Sequence, residues 1–300
     1  MVSIILVVLI LTVAKSMRKK HKILAPQMSP IHFEIIEEAV KSCGYDMEVL
    51  PSIDMEAVEE GLKYVNNDAC YPSIIVVGQI IHGLKSGKYD LDNTSVIITQ
   101  TGGGCRATNY VAFLKKAFKE AGLSKIPIIS LNAVGLEKQP GFKLSVGLIK
   151  KALMALVYGD LFMRVLYATR PYEKVEGSAD ALYEKWNKKA KENSKNGKLN
   201  EFKKNIKGII KEFDELERKD VVKPKVGLVG EILVKFHPTA NNDVVKIIER
   251  EGGEAVMPDL IDFFQYCFYS TTFERKHFNA TAKATKLCEF AIKAVDFLRK

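Results

Sequence analysis

"TSVIITQTGGGCRATNYVAFLKKAFKEAGL", Thr94 to Leu123, joins an apolar run to an amphipathic run through three glycines, a cysteine and an arginine. Val96, Ile97 and Ile98 give the first part the look of a strand buried on both faces. From Asn109 onward the spacing predicts a helix that stops near Gly122. Strand, glycine turn and helix in succession are the building unit of a parallel α/β sheet. The same unit poses the functional question. A glycine turn before a helix can cradle a phosphate, present a thiol, or only reverse the chain.

Working outward, the pattern repeats on both sides. Ile23 and Leu24 begin a strand, and Phe33, Ile35, Ile36, Ala39 and Val40 recur at helical spacing until Gly44. Met47 to Leu50 forms a second strand that ends at Pro51, so the chain opens as β-α-β with parallel strands. "DACYPSIIVVGQIIHGLK" places Pro72 in a first helical turn, with Ile74, Val77, Ile80, Ile81 and Leu84 on one stripe. "IPIISLN", Ile126 to Asn132, supplies a fourth strand. From about Leu144 helix formers dominate, and at Lys225 the alternation returns. "EEAVKSCGYDMEVLPSID" and "VKIIEREGGEAVMPDLID" share helix, glycine stop, apolar strand, proline and Ile-Asp, a weak internal repeat. The expected fold class is α/β, with two Rossmann-like parallel-sheet domains bridged by a helical segment. The expected divisions are residues 1–20, an apolar leader; 21–143, a Rossmann-like domain holding Cys70 and Cys105; 144–223, a helical subdomain; and 224–300, a second Rossmann-like domain, partial in extent as in a piece of a longer protein.

Composition narrows the classes. The chain has 300 residues, a net charge of +9, and 47% hydrophobic against 27% charged residues, which is globular and not disordered. The excess lysines gather in "RKKHK" and between Lys185 and Lys211 without interleaved aromatics, so they read as solvated helix faces and not as a nucleic-acid footprint. Five cysteines with no CxxC pair argue against a secreted disulfide framework and for a reducing, cytoplasmic setting. The apolar run from Val2 to Ala14 is shorter than the roughly 17–25 residues that cross a bilayer, and lacks the basic start and cleavage pattern of a signal peptide. A marginal anchor, a buried strand and a stretch foreign to the natural start are its three readings. The last is favoured, because the α/β pattern begins only at His21, and no membrane partner is expected.

Three readings of the glycine turn stay open on the residues alone. Gly102, Gly104 and Ala107 fit a loose dinucleotide fingerprint, yet the next strand ends in Ser130, Leu131 and Asn132 with no acid for a ribose. The second reading uses sulfur. Cys105 stands at one predicted helix start and Cys70 at another, where the helix dipole favours the anion that a ligating cysteine becomes. Gly102, Gly103 and Gly104 would let backbone N–H groups approach inorganic sulfide, and Arg106 could contact a sulfide, a phosphate or an acyl carbonyl. In the third reading both cysteines are small apolar residues in tight turns of a non-catalytic scaffold. His82 and His237 read as structural, Thr108 and Asn109 as helix caps, Glu231 as a strand-end residue facing a cleft, and Asp54 and Asp262 as turn formers.

"MSPIHFE" (28–34), "NNDACYP" (66–72), "QTGGGCRATNY" (100–110) and "EILVKFHPTANN" (231–242) together resemble the 2-hydroxyacyl-CoA dehydratase (2-hydroxyglutaryl-CoA dehydratase) superfamily, in the branch found as the C-terminal part of CoA-substrate-specific enzyme activase proteins. The resemblance spans His21 to Lys300. It implies a 4Fe–4S cluster held by three cysteines per subunit, of which Cys70 and Cys105 match the first two. It also implies an ATPase activator as electron donor, a second dehydratase-like subunit and an acyl-CoA substrate that loses water through a ketyl radical. An enzyme of this kind would be a lyase or a reductase component. The nearest stand-in for a third ligand is Cys267 in "FFQYCFY", whose aromatic surroundings predict a core residue instead.

Overall fold

Val96, Ile97 and Ile98 are buried in β3 (Thr94–Gln100), one of the two central strands of a four-stranded sheet. Its companions are β1 (Lys22–Ala25), β2 (Asp46–Val49) and β4 (Ile128–Asn132). The order is β2-β1-β3-β4 and every pairing is parallel. In this computed structural model the described residues are 20–51, 55–100, 105–132, 142–278 and 282–299. The apolar leader, Asp54 and Gly102–Gly104 lie outside them.

Parallel strands need crossovers, and helices supply them. α1 (Pro30–Lys41) joins β1 to β2, and Gly44 ends that connection at φ +84°, a conformation in which a side chain is strained. Between β2 and β3 stand two helices where the sequence predicted one. α2 (Met55–Leu62) precedes α3 (Tyr71–Lys85), and they touch backbone to backbone. A methyl group on Gly61 would fall 2.1 Å from the Ile74 carbonyl oxygen, and one on Gly78 1.8 Å from that of Ala57. Both positions therefore require glycine. Glu60 of α2 binds Lys85 of α3 at 2.6 Å and Lys63 at 2.5 Å. Burial pushes the Glu60 carboxyl up, but hydrogen bonds from the two lysines outweigh it and hold the group below its ordinary value. α4 (Tyr110–Glu120) then leads to β4, its buried face built from Val111, Leu114, Ala117 and Phe118.

The chain divides into two compact units. The sheet unit comprises residues up to Phe33, Val40–Ser145 and the segment Phe236–Asn242; the other comprises Glu34–Ala39, Val146–Lys235 and residues from Asp243. In the second unit α5 (Val146–Tyr167), α6 (Ser178–Asn196) and α7 (Leu199–Asp214) pack around Tyr158, Phe162, Phe202 and Phe213. The Tyr158 hydroxyl donates to Asn193 Oδ1 at 2.8 Å and accepts from Asn205 Nδ2 at 3.0 Å, so this buried phenol is satisfied. Beyond them come β5 (Lys225–Gly227), α8 (Ile232–Phe236), α9 (Pro238–Asn241), α10 (Val244–Arg250), β6 (Glu254–Val256), α11 (Leu260–Phe278) and α12 (Ala282–Arg299). Asp160 of α5 accepts from Leu260 N–H at 2.6 Å and Ile261 N–H at 3.1 Å, capping α11 across 100 residues of sequence.

The sheet here has two strands among the described residues, β5 and β6, paired in parallel. Three sequence expectations change in this unit. Cys267 is exposed on α11 and is not a core residue. Its aromatic neighbours Tyr266, Tyr269 and Phe273 fall on one side of the helix, at i, i+3 and i+7, and all three are exposed. Asp262 lies in the first turn of α11 and is not a turn former between elements. Glu231 ends no strand; it accepts from Val234 N–H at 2.9 Å and so caps α8. Among the described residues no helix is long and apolar enough to cross a membrane.

Candidate functional site

The strand order sets where a ligand would sit in the sheet unit. From β1 the chain crosses to β2 on one side, and from β3 it crosses to β4 on the other. Chains diverge between the carboxyl ends of β1 and β3, and that divergence opens the crevice where α/β sheets of this plan bind ligands. Cys105 follows β3 at this point. α3 ends at Lys85 shortly before β3 begins, so it runs against the strands and its first residues lie on their carboxyl side. Cys70 is the residue just before that helix.

Both cysteines occupy helix-capping positions. Cys70 caps α3 with extended backbone (φ −67°, ψ 143°), Pro72 fills the first turn, and the Cys70 carbonyl accepts from Ser73 N–H at 3.0 Å and Ser73 Oγ at 2.7 Å. The Cys70 side chain makes no cap bond. Cys105 caps the 3-10 turn Arg106–Asn109 in a similar conformation (φ −78°, ψ 147°), with its Sγ accepting from Ala107 N–H at 3.4 Å. Cys105 is exposed and Cys70 half-buried.

Tyr110 ties the two turns together. It is the first residue of α4, its N–H donates to the Ala107 carbonyl, and its hydroxyl lies 4.0 Å from Cys70 Sγ. Gln100, the last residue of β3, holds the Cys105 turn from beneath. Its Nε2 donates to the Thr108 carbonyl at 2.9 Å, and its Oε1 accepts from Ser130 Oγ of β4 at 2.5 Å. Sequence reasoning found neither Tyr110 nor Gln100. Gln100 had a signal in the sequence, a polar residue ending an otherwise apolar strand; Tyr110 had none, because its approach to Cys70 joins residues 40 apart.

Of the other residues singled out in the sequence, Arg106 is exposed in the 3-10 turn beside Cys105. Asn109 stands at the N-cap of α4 without a side-chain cap bond, and Thr108 contributes its carbonyl to Gln100. His82 lies on α3, 3.9 Å from Glu56. His237 is fully buried against Gln79 of α3, while the Ala240 N–H reaches its Nδ1 at 3.3 Å. Burial pushes its ring down to about 4, and with both nitrogens facing N–H groups a doubly protonated ring has no acceptor there. Gln79 also accepts from Gln27 N–H at 2.9 Å, which anchors the loop after β1. His237 is thus a packing residue and outside any reactive surface.

Cys70 and Cys105 thus stand at the starts of a helix and of a 3-10 turn, both on the carboxyl side of the sheet. Among the described residues no group of three or more His, Cys, Asp or Glu side chains gathers as a metal site. No known protein family, curated protein or solved structure matches the chain.

Proposed function

We propose that the chain is an iron–sulfur protein of the 2-hydroxyacyl-CoA dehydratase type, with Cys70 and Cys105 as two ligands of a 4Fe–4S-type cluster. The observation that carries this reading is the capping of two helix starts by cysteines on one sheet edge, bridged by Tyr110. The glycines Gly102–Gly104 and Arg106 would line the approach to the cluster. Both Rossmann-like domains of the resemblance belong to the same reading. A bound cluster would supply one-electron transfer, fed by an ATPase activator and directed to an acyl-CoA thioester. The chain's own residues hold the sulfurs: α3 aims Cys70, Gln100 fixes the Cys105 turn, and Tyr110 places a hydroxyl beside the Cys70 sulfur. A third protein ligand would come from outside the described pair, including from a second dehydratase-like subunit.

Anaerobic reconstitution with ferrous iron and sulfide tests the reading. The wild-type chain should take up both and gain broad visible absorption, and Cys70→Ser and Cys105→Ser should each lose most of it. A wild-type chain that retains no iron and sulfide after desalting, or two serine variants that retain them in full, would end the proposal.

A further inference from the structure

One short stretch of the late chain belongs to the sheet unit: Phe236–Asn242 packs there, while the residues on either side of it belong to the second unit. Phe236, His237 and Ala240 are its buried side chains. Phe236 meets the ring of His32 edge-on, with centroids 6.0 Å apart. The stretch ends on Asn242 at φ +57°, and Asp243 follows at φ +54°; among the described residues these are the two non-glycines with positive φ. Two such residues in succession are disfavoured backbone, which persists only while neighbouring contacts hold it. The segment is therefore fastened against strain, and His237 is the centre of the fastening.

His237 is fully buried and meets donors on both sides. Gln79 of α3 gives its Oε1 to the Gln27 N–H at 2.9 Å, which turns its Nε2 to His237 Nε2. On the other side the Ala240 N–H reaches Nδ1 at 3.3 Å. A neutral imidazole accepts on one nitrogen and an imidazolium on neither, so taking up a proton removes the ring's last acceptor. Burial lowers the ring's pKa to about 4, and the one opposing influence among the described residues is its own backbone. Charged groups beside it face elsewhere: Lys235 feels Glu231 and Asp262, Asp243 pairs with Lys246 at 3.3 Å, and Glu34 of α1 pairs with Lys191 at 2.7 Å. Two titratable rings lie on the elements packed against the segment. His82 of α3 turns to Glu56 at 3.9 Å, and His32 of α1 is held through Nδ1 by Ser29 Oγ at 2.7 Å.

The same network reaches the crevice. Gln27 and Ser29 are buried in the loop after β1, where Gln27 Oε1 accepts from Met28 N–H at 3.1 Å. That loop leaves the carboxyl end of β1, the strand beside β3 and its Cys105 turn. Gln79 thus touches the segment with one end of its amide and the loop with the other. We propose that Phe236–Asn242 is an acid-released clasp: a proton taken up by His237 frees the segment and, through Gln79, loosens the loop after β1 at the edge of the crevice, with the sheet still folded. Metal occupancy of the cysteines plays no part in the release.

The test is hydrogen exchange of the full, metal-free chain, read by mass spectrometry at about pH 8 and about pH 5, each rate divided by that of the unfolded peptide. A ring that binds its proton at about 6.5 when free and about 4 when docked makes opening about tenfold more frequent per pH unit between those values. Opening should therefore be about 30-fold more frequent at the lower pH. That rise should appear in residues 236–242 and 27–29 and be absent from β3 and α4. His237→Gln should remove it from both segments, whereas His32→Gln should keep it. Each variant is compared with itself at the two pH values, so one that is merely looser still reports. The slope in the wild type, one proton, is a second readout that needs no variant to fold. Exchange unchanged by pH, a rise shared by β3 and α4, or a slope of two or more protons would overturn the proposal. So would a full rise in His237→Gln, its loss in His32→Gln, or a segment that opens while residues 27–29 stay protected.

Discussion

Gly78→Ala is the sharpest single test of how the cysteine site is built. The added methyl would lie 1.8 Å from the Ala57 carbonyl oxygen and 2.9 Å from Gly61 N, whereas ordinary contact begins at 3.4 Å. The difference, 3.4 minus 1.8, means that α2 and α3 must part by about 1.6 Å, because the obstacle is backbone and has no rotamer to change. Overpacking of this kind costs about 3 kcal/mol, and the better helix propensity of alanine returns about 1, leaving a net loss of about 2 kcal/mol. Urea unfolding followed by circular dichroism should show a lower midpoint with an unchanged slope. Gly61→Ala, whose methyl would meet the Ile74 carbonyl at 2.1 Å, should cost a similar amount. The double variant should cost clearly less than the sum, since helices already parted by one methyl accommodate the other. The consequence reaches the site, because α3 carries Cys70 at its start: Gly78→Ala should also lower iron retention after reconstitution. A Gly78→Ala chain as stable as wild type, or strictly additive single and double variants, would refute the close-contact argument.

Other outcomes follow from single contacts. His237 has its pKa lowered to about 4 by burial, against about 6.5 when unfolded, so the unfolded chain binds the extra proton in that window; stability should fall by about 3 kcal/mol as pH drops from about 6.5 to about 4, and His237→Gln should flatten that slope in urea titrations. Tyr110→Phe removes the hydroxyl 4.0 Å from Cys70 Sγ; the reconstituted variant should keep its iron but reduce at a more negative potential by redox titration, and an unchanged potential would rule the hydroxyl out as a donor to sulfur. Arg164→Ala leaves Asp259, which it holds at 2.6 and 2.7 Å, buried without its cation, and should cost about 3 kcal/mol by thermal or urea unfolding; removing both side chains with Arg164→Leu and Asp259→Leu should cost less than that.

The sheet unit was largely legible because a strand buried on both faces announces itself as a bare apolar run. Val96-Ile97-Ile98 and Ile128-Ile129 are of that kind, and glycine and proline mark their ends. α2 was not legible. "MEAVEEGL" carries three acids, and its packing face is Ala57, Val58 and Gly61, so the residue that matters most there contributes no hydrophobicity at all. The reading of Cys267 failed for a related reason: aromatic neighbours were taken as burial, although the helical period puts Tyr266, Tyr269 and Phe273 on an exposed side. The two cysteines could be placed at helix starts from Pro72 and from the glycine turn. That Tyr110 spans from one turn to the other, and that Asp160 caps a helix 100 residues away, are tertiary facts with no local pattern.

These differences share a physical origin that bears on the site itself. Contacts that position the cysteine turns are made by small or polar groups, namely Gly61 of α2 and Gly78 of α3 where the two helices meet, and Gln100 under the Cys105 turn. Apolar side chains stabilise the sheet roughly in proportion to buried area and tolerate exchange for others of similar volume. Backbone contact through glycine and a doubly bonded amide tolerate neither, because their geometry is fixed to a few tenths of an ångström. Donors that must meet one ligand need that kind of support, since a thiol displaced by an ångström no longer reaches. Substitutions within the β3 apolar run should therefore lower stability while iron uptake per folded molecule is retained. Gln100→Ala should do the reverse, leaving the unfolding midpoint close to wild type and releasing the Cys105 turn. Uptake that simply tracked stability in both sets would mean that the turns need no support beyond a folded sheet.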